Sequence, residues 1–431
     1  MARAEAAVAQ AARVGVGAGA THPGPSPAEP TLPGDTHPRR WRMLALLSVS
    51  QLLGMSLWFA GSAVAPQLQR AWQLDGAEVA WLTIAVQLGF VAGTAISAVL
   101  NLADVVPARV LFTVSALGGA LCHAGLAFAD GLAPALLSRL LAGACLAGVY
   151  PPAMKMTSTW FLAQRGLAVG TIVGALTVGK AGPYLIGALP GATVPALVAL
   201  SSFSAVVAGL LVWFFYADGP YAFPSRPFTW TLAGSVVREA RWRRATGGYL
   251  GHMTELYAYW TWIPAFVAAS MARSPHAVAP VATRSSAIIG FAIIAVGGAG
   301  CIWGGAVADR IGRARLVIIA MAVSGLACAL IGLLFGHSLW LLTPVALVWG
   351  FFIIADSAQF SVLVTESVPS FAVGTALTLQ VSLGFLLTTL TIQVVPLIVR
   401  VAGWPWAFAL LAVGPALGIW SIRRLSSVKN V

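Results

Sequence analysis

From about residue 43 to residue 422 the chain falls into apolar stretches of about twenty residues, parted by short polar connections. A helix of that length is what crosses a ~30 Å hydrocarbon layer. Apolar residues fill 59% of the 431 positions and charged residues only 9%, too few to coat a soluble surface. The pattern predicts spans at 43–66, 78–101, 107–128, 132–157, 166–189, 193–217, 245–270, 285–308, 314–336, 339–365, 371–398 and 404–422. The expected fold class is an all-α membrane protein of 12 transmembrane helices. Residues 1–42, rich in Ala, Gly, Pro and Thr and too weakly apolar for a signal-peptide core, read as a disordered tail.

A net charge of +12 would suggest nucleic acid in a soluble protein, so the position of the basic residues matters more than their total. They cluster between the apolar runs, which removes nucleic acid as a partner. With twelve spans and a start in the cytoplasm, seventeen Lys and Arg fall inside and four, Arg70, Arg273, Arg284 and Arg400, fall outside. That asymmetry places both termini in the cytoplasm, and the expected location is a plasma (inner) membrane. The four cysteines sit singly in apolar segments without metal-ligand or CxxC spacing, so no metal or other cofactor is expected.

The longest polar connection, 218–244, carries three prolines and the basic run Arg238 to Arg244 and splits the spans six and six. The segment Met55-Ser56-Leu57-Trp58-Phe59-Ala60 recurs as Met253-Thr254-Glu255-Leu256-Tyr257-Ala258, with Pro66 and Pro264 at equal distance beyond. Ala168-Val169-Gly170-Thr171 returns as Ala372-Val373-Gly374-Thr375. Two ordered matches in corresponding spans indicate a duplicated chain. The expected units are six-helix bundles at 43–217 and 245–422, with the central loop 218–244 and a C-terminal tail 423–431.

The loop Gly305-Ala306-Val307-Ala308-Asp309-Arg310-Ile311-Gly312-Arg313 resembles the GxxxDRxGR signature of the major facilitator superfamily. Its counterpart, Leu102 to Arg109, keeps Asp104 and one arginine but loses both glycines. Arg139-Leu140-Leu141-Ala142-Gly143 is similar to the family's RxxxG element, and the chain looks loosely like the cyanate and nitrate/nitrite porter neighbourhood. The resemblance implies two pseudo-symmetric six-helix bundles that transport a small molecule by alternating access, with no enzymatic activity. It also implies a gate loop in which Asp309 accepts from a neighbouring helix N-terminus and from the arginines.

Of the acidic residues only Glu255 and Asp356 fall in mid-span. A carboxylate in hydrocarbon faces a cavity, pairs with a cation or carries a proton. Glu255 lies eleven residues past Arg244, about 16 Å along a helix, near the midplane. It is either a proton-coupling group or a structural hydrogen-bonding one. His252 is three residues earlier on the same helix face and in position to share that proton. Tyr257 and Trp260 are cavity-lining candidates, and Gln359 lies close to Asp356. Arg139 and Lys180 are the two cations placed within the membrane; they bind an anion, pair with Glu255 and Asp356 as a gating salt bridge, or, for Arg139, snorkel to the surface.

Gly174 to Lys180 fits GxxxxGK, but Ala181 stands where a Mg²⁺-ligating hydroxyl is required and the context is an apolar helix, so it is not a nucleotide loop. Gly170, Gly174, Gly179 and Gly182 instead read as a close-packing stripe. The sequence therefore predicts a proton-linked, monomeric transporter of a small organic or inorganic anion. Drug efflux is the alternative, and a non-transporting sensor or assembly partner the reading from another class.

Overall fold

The computed structural model describes residues 37–162, 164–221, 230–273, 279–369 and 372–425. The tail expected at 1–42 therefore lies largely outside the described residues, as do 222–229 of the central loop and the C-terminal tail from 426. Among the described residues every regular element is helical. The long helices are α1 (Arg40–Trp72), α2 (Gly76–Val99), α3 (Ala108–Phe128), α4 (Leu132–Ser158), α5 (Arg165–Gly187) and α6 (Val194–Phe215). After them come α7 (Ala240–Ala272), α8 (Arg284–Ile311), α9 (Arg313–Leu334), α10 (Leu339–Thr365), α11 (Val373–Ala402) and α12 (Trp404–Arg423).

Eleven of these are long and apolar enough to cross a membrane. α7 falls outside that group although its 33 residues give it ample length. Its first turns carry Arg241, Arg243 and Arg244 and its middle carries His252 and Glu255, which dilute its hydropathy.

Helix ends follow local chemistry. Asp75 caps α2 by accepting from the Glu78 N–H at 2.8 Å, and the Glu78 carboxylate accepts from the Asp75 N–H at 2.8 Å, a reciprocal capping box. Gly312 separates α8 from α9 at φ +87°, a conformation that glycine adopts without Cβ strain. α1 is not continuous: it runs as α-helix to Gly54, tightens into a 3₁₀ turn at Met55–Leu57 and resumes at Ala60.

The packing repeats along the chain. α1 lies on α5 and α6, α2 on α4, and α3 on α4 and α6; six helices later, α7 lies on α11 and α12, α8 on α10, and α9 on α10 and α12. Glycines mark equivalent contacts at equal offset. A Cβ at Gly143 would strike the Val86 carbonyl oxygen at 2.0 Å, and one at Gly350 would strike that of Ile293 at 2.0 Å. Gly93 against Ala144 recurs in the same way as Gly300 against Phe351. Such contacts let backbones approach closely where lipid offers no hydrophobic drive to hold helices together.

Two large contacts join the first six helices to the last six: α5 on α8 and α2 on α11. The glycine stripe of α5 explains the first. Cβ atoms at Gly170 and Gly174 would lie 2.7 and 2.8 Å from the carbonyl oxygens of Cys301 and Gly298. Gly179 faces α1 instead, against the Leu52 carbonyl, and a Cβ at Gly182 would meet nothing within 4 Å, so of the four glycines expected to form one stripe two pack on α8 and one on α1. In the second contact, Thr388 donates to Gln87 Oε1 at 2.7 Å.

Candidate functional site

Lys180 on α5 is buried at the seam between the two sets of helices. Its ammonium donates to the Tyr257 hydroxyl at 2.5 Å and stands 4.0, 4.8 and 5.0 Å from the ring centroids of Trp58, Tyr257 and Trp260. Electron-rich ring faces attract a cation at such distances. Phe59 stacks on Tyr257 with centroids 6.3 Å apart, and these residues occupy the same place in the two copies of the repeated segment. Phe90 and Phe385, with centroids 5.0 Å apart, close the cluster against Trp58. Three of the expected residues, Lys180, Tyr257 and Trp260, thus meet at one point.

The cluster is rich in donors and poor in acceptors. The indole N–H groups of Trp58 and Trp260 are buried without a hydrogen-bond partner. Among the described residues no carboxylate lies within ion-pair distance of Lys180. Buried polar groups are normally satisfied, so an ammonium backed by two idle donors calls for an acceptor.

Arg139, the other expected cation, is placed differently. Its side chain is fully buried, which removes snorkelling, and neither Glu255 nor Asp356 is its partner. Nε donates to the Leu82 carbonyl at 3.1 Å, Nη1 to Leu57 at 2.7 Å, and Nη2 to the Trp58 carbonyl. The Leu57 and Trp58 carbonyls lie where α1 breaks. Arg139 mends the break, and in doing so holds Trp58 beside Lys180. Gly61 makes room for it, since a Cβ there would sit 2.8 Å from Nε.

The acidic residues expected to face these cations are partnered within the last six helices. Asp356 sits where α10 is interrupted, with Oδ1 3.0 Å from His252 Nδ1. His252 therefore pairs with Asp356 and not with Glu255, because the side chains of α7 diverge toward different neighbours. Ser324 on α9 donates to Glu255 Oε1 at 2.5 Å, and Oε2 has no partner. Gln359 is buried one turn beyond Asp356. The expected salt bridge between the halves is absent from this conformation.

The gate-loop residues gather at the start of α5. Gly305 packs on the Gly166 backbone, and a Cβ at Gly166 would lie 3.5 Å from Asp309 Oδ2, so this carboxylate hangs over the first turn of α5, where a negative charge is favoured. Arg313 Nη2 is 3.8 Å from Asp309, and its Nη1 is 2.9 Å from Glu366 at the end of α10. Arg310 is exposed. The Asp104 side chain lies outside the described residues.

Sequence reasoning missed Trp58, Phe90, Phe385, Ser324 and Glu366. Trp58 had a signal in the repeated segment; the others become visible only once helix rotation is known.

A bundle of apolar helices whose two sets meet over a buried ammonium, with further ionisable groups inside, has the build of a secondary transporter. Residues 46–392 match the model of the Major Facilitator Superfamily, and the chain belongs to that family of transporters. No curated protein matches the chain.

Proposed function

We propose that this protein moves a small anion, coupled to protons, by alternating access between two six-helix bundles, α1–α6 and α7–α12, with α7 as the twelfth span. In this reading it works as a monomer in a plasma (inner) membrane with both termini in the cytoplasm. The observation that carries the anion is Lys180: a buried ammonium between the halves, with two unpartnered indole donors and no carboxylate beside it. The repeated packing supports the two bundles, and the arginine-rich loops support the orientation.

Opening one side separates α1 and α5 from α7 and α11, and a substrate then takes the place of the ring contacts around Lys180. The loop from Gly305 to Arg313 holds one state by bridging α5 and α10, and releases them in the other. Glu255 and the His252–Asp356 pair are the proposed proton carriers. They lie on α7 and α10, the helices next to the Lys180 contact. Glu255→Gln keeps the shape and removes the proton site: anion uptake into vesicles is expected to lose its dependence on an imposed pH gradient, and uptake that stays gradient-driven would remove Glu255 from the mechanism.

A second reading has one observation in its favour. The rings that hold the Lys180 ammonium would also suit an organic cation, as in a drug/proton antiporter. It requires Lys180 to vacate the cage, and gives the two indole donors nothing to do.

A further inference from the structure

We infer that the substrate is a monocarboxylate with a flat apolar body, of which an aromatic acid is the simplest case. This rests on the anion reading above and narrows it by charge, donor count and wall chemistry.

Charge comes first. Among the described residues Lys180 is the one lysine or arginine at the seam available to a ligand, because the Arg139 guanidinium is taken up by the carbonyls of Leu57, Trp58 and Leu82. A single buried positive charge neutralises a single negative one. A dicarboxylate would leave a charge uncompensated in a desolvated site, which is strongly unfavourable.

The donors come next. The ammonium of α5 donates to the Tyr257 hydroxyl and lies against the Trp58 ring of α1 and the Trp260 ring of α7, and the N–H groups of those two indoles are buried without a partner. A carboxylate has two oxygens with about four acceptor positions, enough to take the ammonium and still accept from an idle indole N–H beside it.

The walls exclude the remaining small anions. Beyond those donors the side chains packed around Lys180 and its rings present ring faces, Phe59 and Phe90 on one side, Phe385 on the other and Tyr184 beside Phe59, with the Thr388–Gln87 hydrogen bond one turn further along α2 and α11. An inorganic oxyanion would present polar oxygens to these faces. A flat apolar group can replace the present ring–ring contacts with contacts of the same kind when the halves part around it.

The test is isothermal titration calorimetry on the purified full-length protein with four probes: benzoate, nitrate, succinate and tetraphenylphosphonium. Saturable binding of benzoate, at least about tenfold tighter than of nitrate or succinate, is the expected result. Lys180→Met is expected to abolish benzoate binding. Trp260→Phe, which keeps a ring and removes one N–H, is expected to weaken it about tenfold, a loss of about 1.4 kcal/mol. If Lys180→Met does not yield folded protein, Trp260→Phe carries the test alone. Binding of nitrate or succinate at least as tight as benzoate, lost in the variants, overturns this inference and leaves the anion reading standing. Binding of tetraphenylphosphonium with none of the anions overturns both. Benzoate binding that neither variant changes, or no benzoate binding at millimolar concentration, also overturns the inference.

Discussion

Arg139 and Lys180 are both cations buried in the first half of the chain, on α4 and α5, and they do opposite things. Arg139 gives its donors to three backbone carbonyls and repairs a break in α1. Lys180 reaches across the seam to the Tyr257 hydroxyl and the Tyr257 and Trp260 rings, with the Trp58 ring on its own side, next to donors that have no acceptor. Burial of charge alone therefore does not mark a binding site; what distinguishes the two is whether the neighbourhood is satisfied. One cation has its donors satisfied within the scaffold, and the other, in the function proposed above, receives a counter-ion from the substrate.

The contrast breaks most visibly at Arg139. Arg139→Met leaves the Leu57 and Trp58 carbonyls at the α1 break without their donor, at roughly 1–3 kcal/mol each, a large share of the stability of most proteins. The expected outcome is loss of the monodisperse peak in size-exclusion chromatography of the solubilised protein. A variant that purifies as well as the parent would remove the scaffold role. Lys180→Met removes an ammonium that has no counter-ion, so the thermal midpoint should stay the same or rise. A midpoint drop comparable to that of Arg139→Met would make Lys180 a scaffold residue as well.

Smaller changes sharpen the same comparison. Gly61→Ala puts a methyl 2.8 Å from Arg139 Nε, an overpacking that costs about 1–3 kcal/mol and should lower the thermal midpoint less than Arg139→Met does. Tyr257→Phe deletes the one hydrogen bond that joins Lys180 to the second half. A bond to a charged group contributes about 1.5–3 kcal/mol, so the thermal midpoint should fall, and the half-saturating substrate concentration should rise as the ammonium loses the phenol that positions it. An unchanged transport constant would mean that the phenol is a bystander.

Much of this architecture is legible in the sequence because its signals are local. Span length, loop charge and the Gly305–Arg313 motif need no knowledge of packing. The repeat even places Phe59 and Tyr257 at matching positions, and they stack on each other in the structure. The break in α1 is a different matter. Met55 to Ala60 reads as one more apolar turn, and its unwinding depends on an arginine from α4. The second half shows how contingent that is: α7 runs unbroken through the matching segment, and the link to its neighbour is a Tyr259 hydroxyl donating to the Ala346 carbonyl at 2.9 Å. His252 went astray for a similar reason. Its spacing from Glu255 is right for a helix pair, but α9 and α10 supply a separate partner to each.

The central claim is that Lys180 is the cation of an anion site between two moving halves. Transport into proteoliposomes under an imposed pH gradient tests it most directly, with benzoate, nitrate and a cationic dye offered in turn to the wild type and to Lys180→Met. The account predicts that the wild type accumulates an anion and that the folded variant behaves like empty liposomes. Anion uptake undiminished in the variant, or movement of the dye with both anions ignored, would contradict it.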